Sequence, residues 1–173
     1  MTRCAYHEVL AELDLPQVLA RFEPMVIGTP PLGIDVSTSD IDVACTAVDL
    51  QQFRKNVQQL FSYRAAFSVS DLNWLQAPAV KTSFFVRGWE VELFCQTLPI
   101  NEQWGVRHFL IEQRILELAP HLRDPIVSLK HSGLKTEPAF ARLLALEGDP
   151  YEAILELENL SEEELVRLVG QPM

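Results

Sequence analysis

Apolar residues recur at helical spacing over the first 24 positions. Val9, Leu10 and Leu13 make one stripe and Val18, Leu19 and Phe22 another, with Asp14-Leu15-Pro16 between them reading as a cap and an early-helix proline. Pro24 breaks the pattern, and Met25-Val26-Ile27 predicts a short buried strand. A second strand is predicted from Asp40 to Cys45, after which Asp49 caps a helix with apolar positions Leu50, Phe53, Val57, Leu60 and Phe61. Tyr63 to Val69 offers a third strand. Residues 79–95 read as a hairpin, because Val80 to Val86 is rich in β-branched and aromatic residues, Arg87-Gly88 supplies a turn, and Trp89 to Phe94 runs back. Beyond Pro99 only helical periodicity remains. Asn101 is the expected cap of a helix carrying Trp104, His108, Ile111, Ile115 and Leu118, which Pro120 ends. Pro125 opens the next helix, through Ile126, Leu129 and Lys130 to Gly133, and Thr136-Glu137-Pro138 caps a third with Phe140, Leu143, Leu144 and Leu146. Asp149-Pro150 starts a fourth, and Ser161 with Glu164 forms a capping box before a last one ending at Gly170. The expected class is α+β: a mixed sheet flanked by helices over residues 1–98, then a helical extension over 99–173 packed on it as a single compact unit.

Composition narrows the setting. With 173 residues, 48% of them apolar, the chain can bury a real core, and wholesale disorder is excluded. No run approaches the ~20 apolar residues of a membrane span. The polar N-terminus does not resemble a secretory signal, and Cys4, Cys45 and Cys95 are too few and scattered for a disulfide framework. A reduced, cytoplasmic protein is the expectation. The net charge of −10 is uneven: residues 147–173 hold eight acids against the single base Arg167, an acidic stretch that reads as a solvated helix face. No lysine/arginine cluster marks a polynucleotide track, so nucleic acid is an unlikely partner and small-molecule chemistry fits better.

The chemistry concentrates in residues 26–42. An apolar run ends in Gly28-Thr29, turn-forming residues follow, and a new apolar run carries Asp40 and Asp42. On a strand, Ile41 and Val43 point one way and the two aspartates the other, roughly 7 Å apart by two residues of rise. Two like charges on one face need a cation between them, and carboxylate oxygens are what magnesium takes. Gly28 lets backbone approach phosphate oxygens and Thr29 adds a hydroxyl. On the later strand Glu90 and Glu92 share a face. Both stand between apolar neighbours, and either could serve as a third acid, with Glu90 the substitute if Glu92 is not the one.

Gly28-Thr29, Asp40-Ile41-Asp42 and Val91-Glu92-Leu93 together resemble the signature of the nucleotidyltransferase superfamily with the DNA polymerase beta type of catalytic domain. More narrowly, Gly-Thr-Pro-Pro-Leu-Gly-Ile-Asp, Leu-Lys-Thr-Glu-Pro-Ala-Phe-Ala and Leu-Glu-Gly-Asp-Pro-Tyr-Glu-Ala resemble a bacterial domain-of-unknown-function family placed in that superfamily. The broader resemblance covers residues 25–95 and implies a nucleotidyltransferase-like sheet with two Mg2+ ions. Asp40 and Asp42 would bridge the metals, and Glu92 would hold the one that activates the attacking hydroxyl. Thr29 departs from the usual serine or glycine, keeping the hydroxyl and adding a methyl. The implied activity moves a nucleoside monophosphate from an NTP to a small-molecule or protein hydroxyl. The alternative is a non-catalytic nucleotide-binding, sensor or partner-binding module on the same fold.

Other polar residues carry less. His108 lies on an apolar stripe and reads as a core histidine; Trp104 could stack on a base but reads as packing against the sheet. Arg107 and Arg114 share a helix edge and read as partners of surface acids. Lys135, just before the Thr136 helix and its free backbone donors, is a candidate phosphate ligand, with Lys130 ranked below it.

Overall fold

The alternating residues of the 79–96 hairpin form the middle of the sheet, in a computed structural model that describes residues 3–73 and 76–170. The strands are β1 (Met25–Ile27), β2 (Ile41–Thr46), β3 (Ala65–Leu72), β4 (Ala79–Val86) and β5 (Trp89–Gln96), in the order β1-β2-β5-β4-β3. The β2–β5 pair is parallel and the other pairs are antiparallel, so the sheet is mixed and the fold is α+β. At the β4–β5 turn, Arg87 and Gly88 have φ of 49° and 84°, the left-handed pair that a two-residue hairpin turn requires. The chain divides into two compact units, Met1–Pro30 with Ser39–Val106 and Pro31–Thr38 with Arg107–Met173.

In the first unit one sheet face is apolar. Ile41, Val43, Cys45, Val80, Phe84, Val91, Leu93 and Cys95 pack in one core with residues of three helices, α1 (Tyr6–Leu13), α2 (Leu15–Val18) and α4 (Leu50–Phe61). Phe53 from α4 meets Phe22 edge-on at 5.1 Å, and Phe61 stacks on Phe84 at 4.7 Å. Because strand side chains alternate, burying this face assigns Asp42, Glu92 and Lys81 to the other. Cys45 and Cys95 are register partners on the buried face, and burial pushes the Cys45 thiol up to about 12. Both are inert core residues.

Helix α4 starts where its cap does. Asp49 Oδ1 accepts from the Gln51 and Gln52 amides at 2.9 and 3.3 Å. Removing it as Asp49→Ala is expected to cost about 1 kcal/mol, read as a lower midpoint in thermal unfolding.

Two short helices have no clear signal in the sequence. Thr29 does not sit in a loop but opens α3 (Thr29–Leu32), and a 3-10 turn at Ile100–Glu102 takes up Asn101. The long helix α5 (Trp104–Leu118) therefore begins after Asn101, with the Trp104 amide donating to Gln76 Oε1 at 2.9 Å rather than to an asparagine cap. Tyr63 lies outside β3, which starts at Ala65 and carries a register irregularity beside Ala66, at φ 53°.

The second unit holds most of α5 and then α6 (Arg123–His131), α7 (Thr136–Leu143), α8 (Pro150–Glu156) and α9 (Glu162–Val169). Asp149 caps α8 through the Tyr151 and Glu152 amides, and Ser161 with Glu164 completes a capping box on α9. Thr136 is not a cap: Lys135 takes that position without a side-chain bond, and Thr136 is the first helical residue. The segment Pro31–Thr38 is held in this unit by Arg123, whose Nε donates to the Leu32 carbonyl at 3.1 Å, and by Lys130, whose Nζ donates to the Ile34 carbonyl at 3.0 Å. Among the described residues, no helix is long and apolar enough to cross a membrane.

Candidate active site and metal centre

Strand register assembles the acids. In the parallel β2–β5 pair Asp42 stands opposite Glu92, and in the antiparallel β1–β2 pair it stands opposite Ile27, one residue before Gly28. Asp40 precedes the first residue of β2. One ligand oxygen from each of Asp40, Asp42 and Glu92 lies within 4.8 Å of the other two. This is closer than a strand rise of roughly 7 Å separates two side chains, because Asp40, just outside the strand, is free to lean toward Asp42. Glu90 is not in this group; it stands opposite Phe85.

Such crowding is visible in the electrostatics. The Asp42 carboxyl is pushed up to about 8, first by burial, then by the Asp40 and Glu92 carboxylates and a hydrogen bond with Asp40, while the Lys81 ammonium opposes the rise. The donor set is all hard oxygen, as Mg2+ prefers, and Mg2+ commonly takes one or two carboxylates together with substrate phosphates. The residues present fit a divalent cation.

Gly28 is held beside the acids for two reasons. Its φ is +79°, and a Cβ there would lie 2.4 Å from Asp42 Oδ2. Thr29 follows, its hydroxyl donating to Ser39 Oγ at 3.0 Å, which ties the two ends of the 30–38 segment together next to Asp40. Arg3 adds a bond from Nη1 to the Ser39 carbonyl at 2.5 Å and stacks over the Trp89 ring at 3.5 Å. The small-residue bend and the acid pair thus share one corner of the sheet.

Lys81 is the site residue that sequence reasoning missed. On β4 it stands opposite Phe94, two register positions from the Ser83–Glu92 pair and so on the same face, and its Nζ lies 2.5 Å from Glu92 Oε1. Its signal was present as a charge at an alternating position of an apolar strand, but which acid it meets follows only from strand order.

The remaining candidates stand on α5 or at the start of α7. His108 is buried, a ring nitrogen sharing a hydrogen bond of 2.9 Å with the Tyr151 carbonyl. Arg107 pairs with Glu158, and Arg114 donates to the Leu160 carbonyl. Trp104 does not pack away: it is 45% exposed. Lys135 is exposed at the start of α7, in the second unit. That unit also buries Glu112, whose Oε1 has no hydrogen-bond partner among the described residues and whose carboxyl is raised well above its ordinary value, first by burial and then by Glu137.

Comparison with solved structures identifies the architecture. The chain is similar to Cid1 bound to the UTP analogue UMPNPP, with 17% identity, a TM-score of 0.56, and coverage of 82% of this chain and 48% of that one. The Cid1 poly(U) polymerase bound to MgATP gives 17% identity and a TM-score of 0.55, with 87% and 48% covered. A cytoplasmic RNA terminal U-transferase gives 17% and 0.54, with 87% and 46% covered. The fold is that of the nucleotidyltransferases, and the chain spans about half the length of these structures. No curated protein matches it in sequence. A family model described as "Domain of unknown function (DUF4269)" matches residues 8–157 of the 173, and the chain belongs to that family.

Proposed function

We propose that this protein is a metal-dependent nucleotidyltransferase that moves a nucleoside monophosphate from an NTP to a hydroxyl on a small-molecule or protein acceptor. The observation that carries this reading is the convergence of Asp40, Asp42 and Glu92 oxygens within 4.8 Å, beside the Gly28 bend. In the reaction the acceptor oxygen bonds to the α-phosphorus, the bond from that phosphorus to the α,β-bridging oxygen breaks, pyrophosphate leaves, and the hydroxyl proton passes to solvent. Bound Mg2+ would supply charge stabilisation for the attacking and leaving oxygens. The chain's own part is positional. Asp40, Asp42 and Glu92 would hold the ions, the Gly28 backbone would admit a phosphate closely, and the Thr29 hydroxyl, now on Ser39, could turn to it. Lys135 is retained as a candidate phosphate ligand.

One observation favours a second reading, a nucleotide-binding module without catalysis: Glu92 already has a cationic partner in Lys81. Thermal shift separates the two. Catalysis expects nucleotide stabilisation that requires Mg2+ and is lost in an Asp40→Asn, Asp42→Asn double variant, together with Mg2+-dependent pyrophosphate release across an acceptor panel. Nucleotide stabilisation without Mg2+, and pyrophosphate release no greater than that of the double variant, would overturn it in favour of the second.

A further inference from the structure

Lys81 bears on how the acid cluster is used. Its side chain is 38% exposed and that of Glu92 is 21% exposed, so the ammonium lies at the open side of the cluster rather than being sealed into it. The four-carbon stem reaches diagonally across the β4–β5 pair, and its charge is felt at Asp40 and Asp42 as well as at Glu92 and Glu90. A divalent ion on Glu92 would meet the ammonium at the same oxygen, and two cations so close repel.

We propose that Lys81 is a resident counter-cation that competes with divalent metal for Glu92, and that a polyphosphate relieves the competition by giving the released ammonium a new anionic partner. The inference rests on the reading that the three acids hold metal. Its consequence is a linkage between metal and nucleotide. A triphosphate that captures Lys81 strengthens metal binding, and by reciprocity metal strengthens triphosphate binding through the same residue. Lys81 acts here as a positioning residue, setting when Glu92 is available.

Mn2+ titrations followed by electron paramagnetic resonance, with and without a triphosphate carrying an α,β-methylene bridge, test this. Lys81→Met keeps the stem and is expected to bind Mn2+ alone about fivefold more tightly than wild type, with a smaller gain on adding the triphosphate. Lys81→Arg, which keeps the charge, is expected to stay near wild type. Unchanged or weaker Mn2+ binding by Lys81→Met overturns the proposal. A wild-type measurement stands behind it should the variant fold poorly. An amine-reactive reagent is expected to label Lys81 faster when Mn2+ is saturating, with exposed Lys55 as the internal reference, and equal labelling overturns the proposal. If wild type binds no Mn2+ at all, the metal reading itself fails; if it binds and Lys81→Met does not tighten, only the competition fails.

Discussion

Asp42→Asn is expected to lower nucleotidyl transfer a thousandfold or more while making the protein more stable at pH 9 in the absence of metal. The two effects have one cause. Asp42 stands opposite Glu92 and its carboxyl feels both Asp40 and Glu92, so it is the side chain a cation shared by all three can least do without. A metal's stabilisation of transition-state charge is worth several kcal/mol, and about 4 kcal/mol corresponds to three powers of ten in rate. Without a cation the same carboxylate is a liability. Its folded-state pKa is raised from 3.8 to about 8, so the folded protein holds a proton that the unfolded chain releases. The stabilising contribution is complete below about pH 4, falls at up to ~1.4 kcal/mol per pH unit as pH rises, and is gone above about 8. Asparagine carries no charge to desolvate and removes that slope. Chemical denaturation at pH 6 and pH 9, with EDTA present, checks this: wild type should lose stability between the two and the variant should lose less. Since binding must release the Asp42 proton, Mg2+ affinity of wild type should also rise through the same interval. A variant that retains wild-type transfer rates would remove Asp42 from the mechanism.

Gly28→Ala is expected to weaken divalent-cation binding by about 10- to 100-fold and to cost about 1–2 kcal/mol of stability. The stability term comes from a φ of +79°, which side-chain-bearing residues rarely adopt. The binding term comes from the contact: a methyl 2.4 Å from Asp42 Oδ2 cannot coexist with that oxygen, so the carboxylate must rotate away from Asp40 and Glu92. Gly133 separates the two terms. It has a φ of +100°, and a Cβ there would meet none of the described residues within 4 Å, so Gly133→Ala should show the backbone cost without losing Mg2+. Isothermal titration with Mg2+ and thermal unfolding of both variants give the comparison. Equal metal affinity in Gly28→Ala and wild type would mean that the bend is not part of the centre.

Lys81 bears on the same centre. Its ion pair with Glu92 fits either a competitor that metal displaces or a permanent partner that replaces metal. Amine labelling of the wild type distinguishes these, because metal that displaces a competitor frees the Lys81 ammonium for reaction, whereas a permanent partner stays paired and labels at the same rate with and without Mn2+. The half-exposed position of Lys81 favours displacement, since a fully buried ammonium would lose its partner without access to water.

What local chemistry dictates was readable from the chain alone. Asp49 and Asp149 cap α4 and α8, Ser161 and Glu164 box the start of α9, and Arg87-Gly88 turns the hairpin, because each needs only neighbours within a few residues. Alternation along β2 and β5 likewise assigned Asp42 and Glu92 to a face opposite Val43 and Leu93. Alternation states a face but not a neighbour. That β5 lies parallel beside β2, setting Glu92 against Asp42 and bringing Lys81 to Glu92 across β4, was decided by the sheet's strand order, which is settled by how the whole apolar face is covered. Asn101 and Thr136 show the same limit on a smaller scale: both are good caps by type, yet Thr136 is offset by one residue, and a 3-10 turn takes up Asn101 so that α5 begins beyond it, where the Trp104 amide meets Gln76 from a distant segment. The sequence by itself determined which side chains could do chemistry and on which face of an element they stand, since those follow from residue type and backbone period. Only the tertiary structure decided which of them meet, since contact between distant segments depends on the packing that joins them.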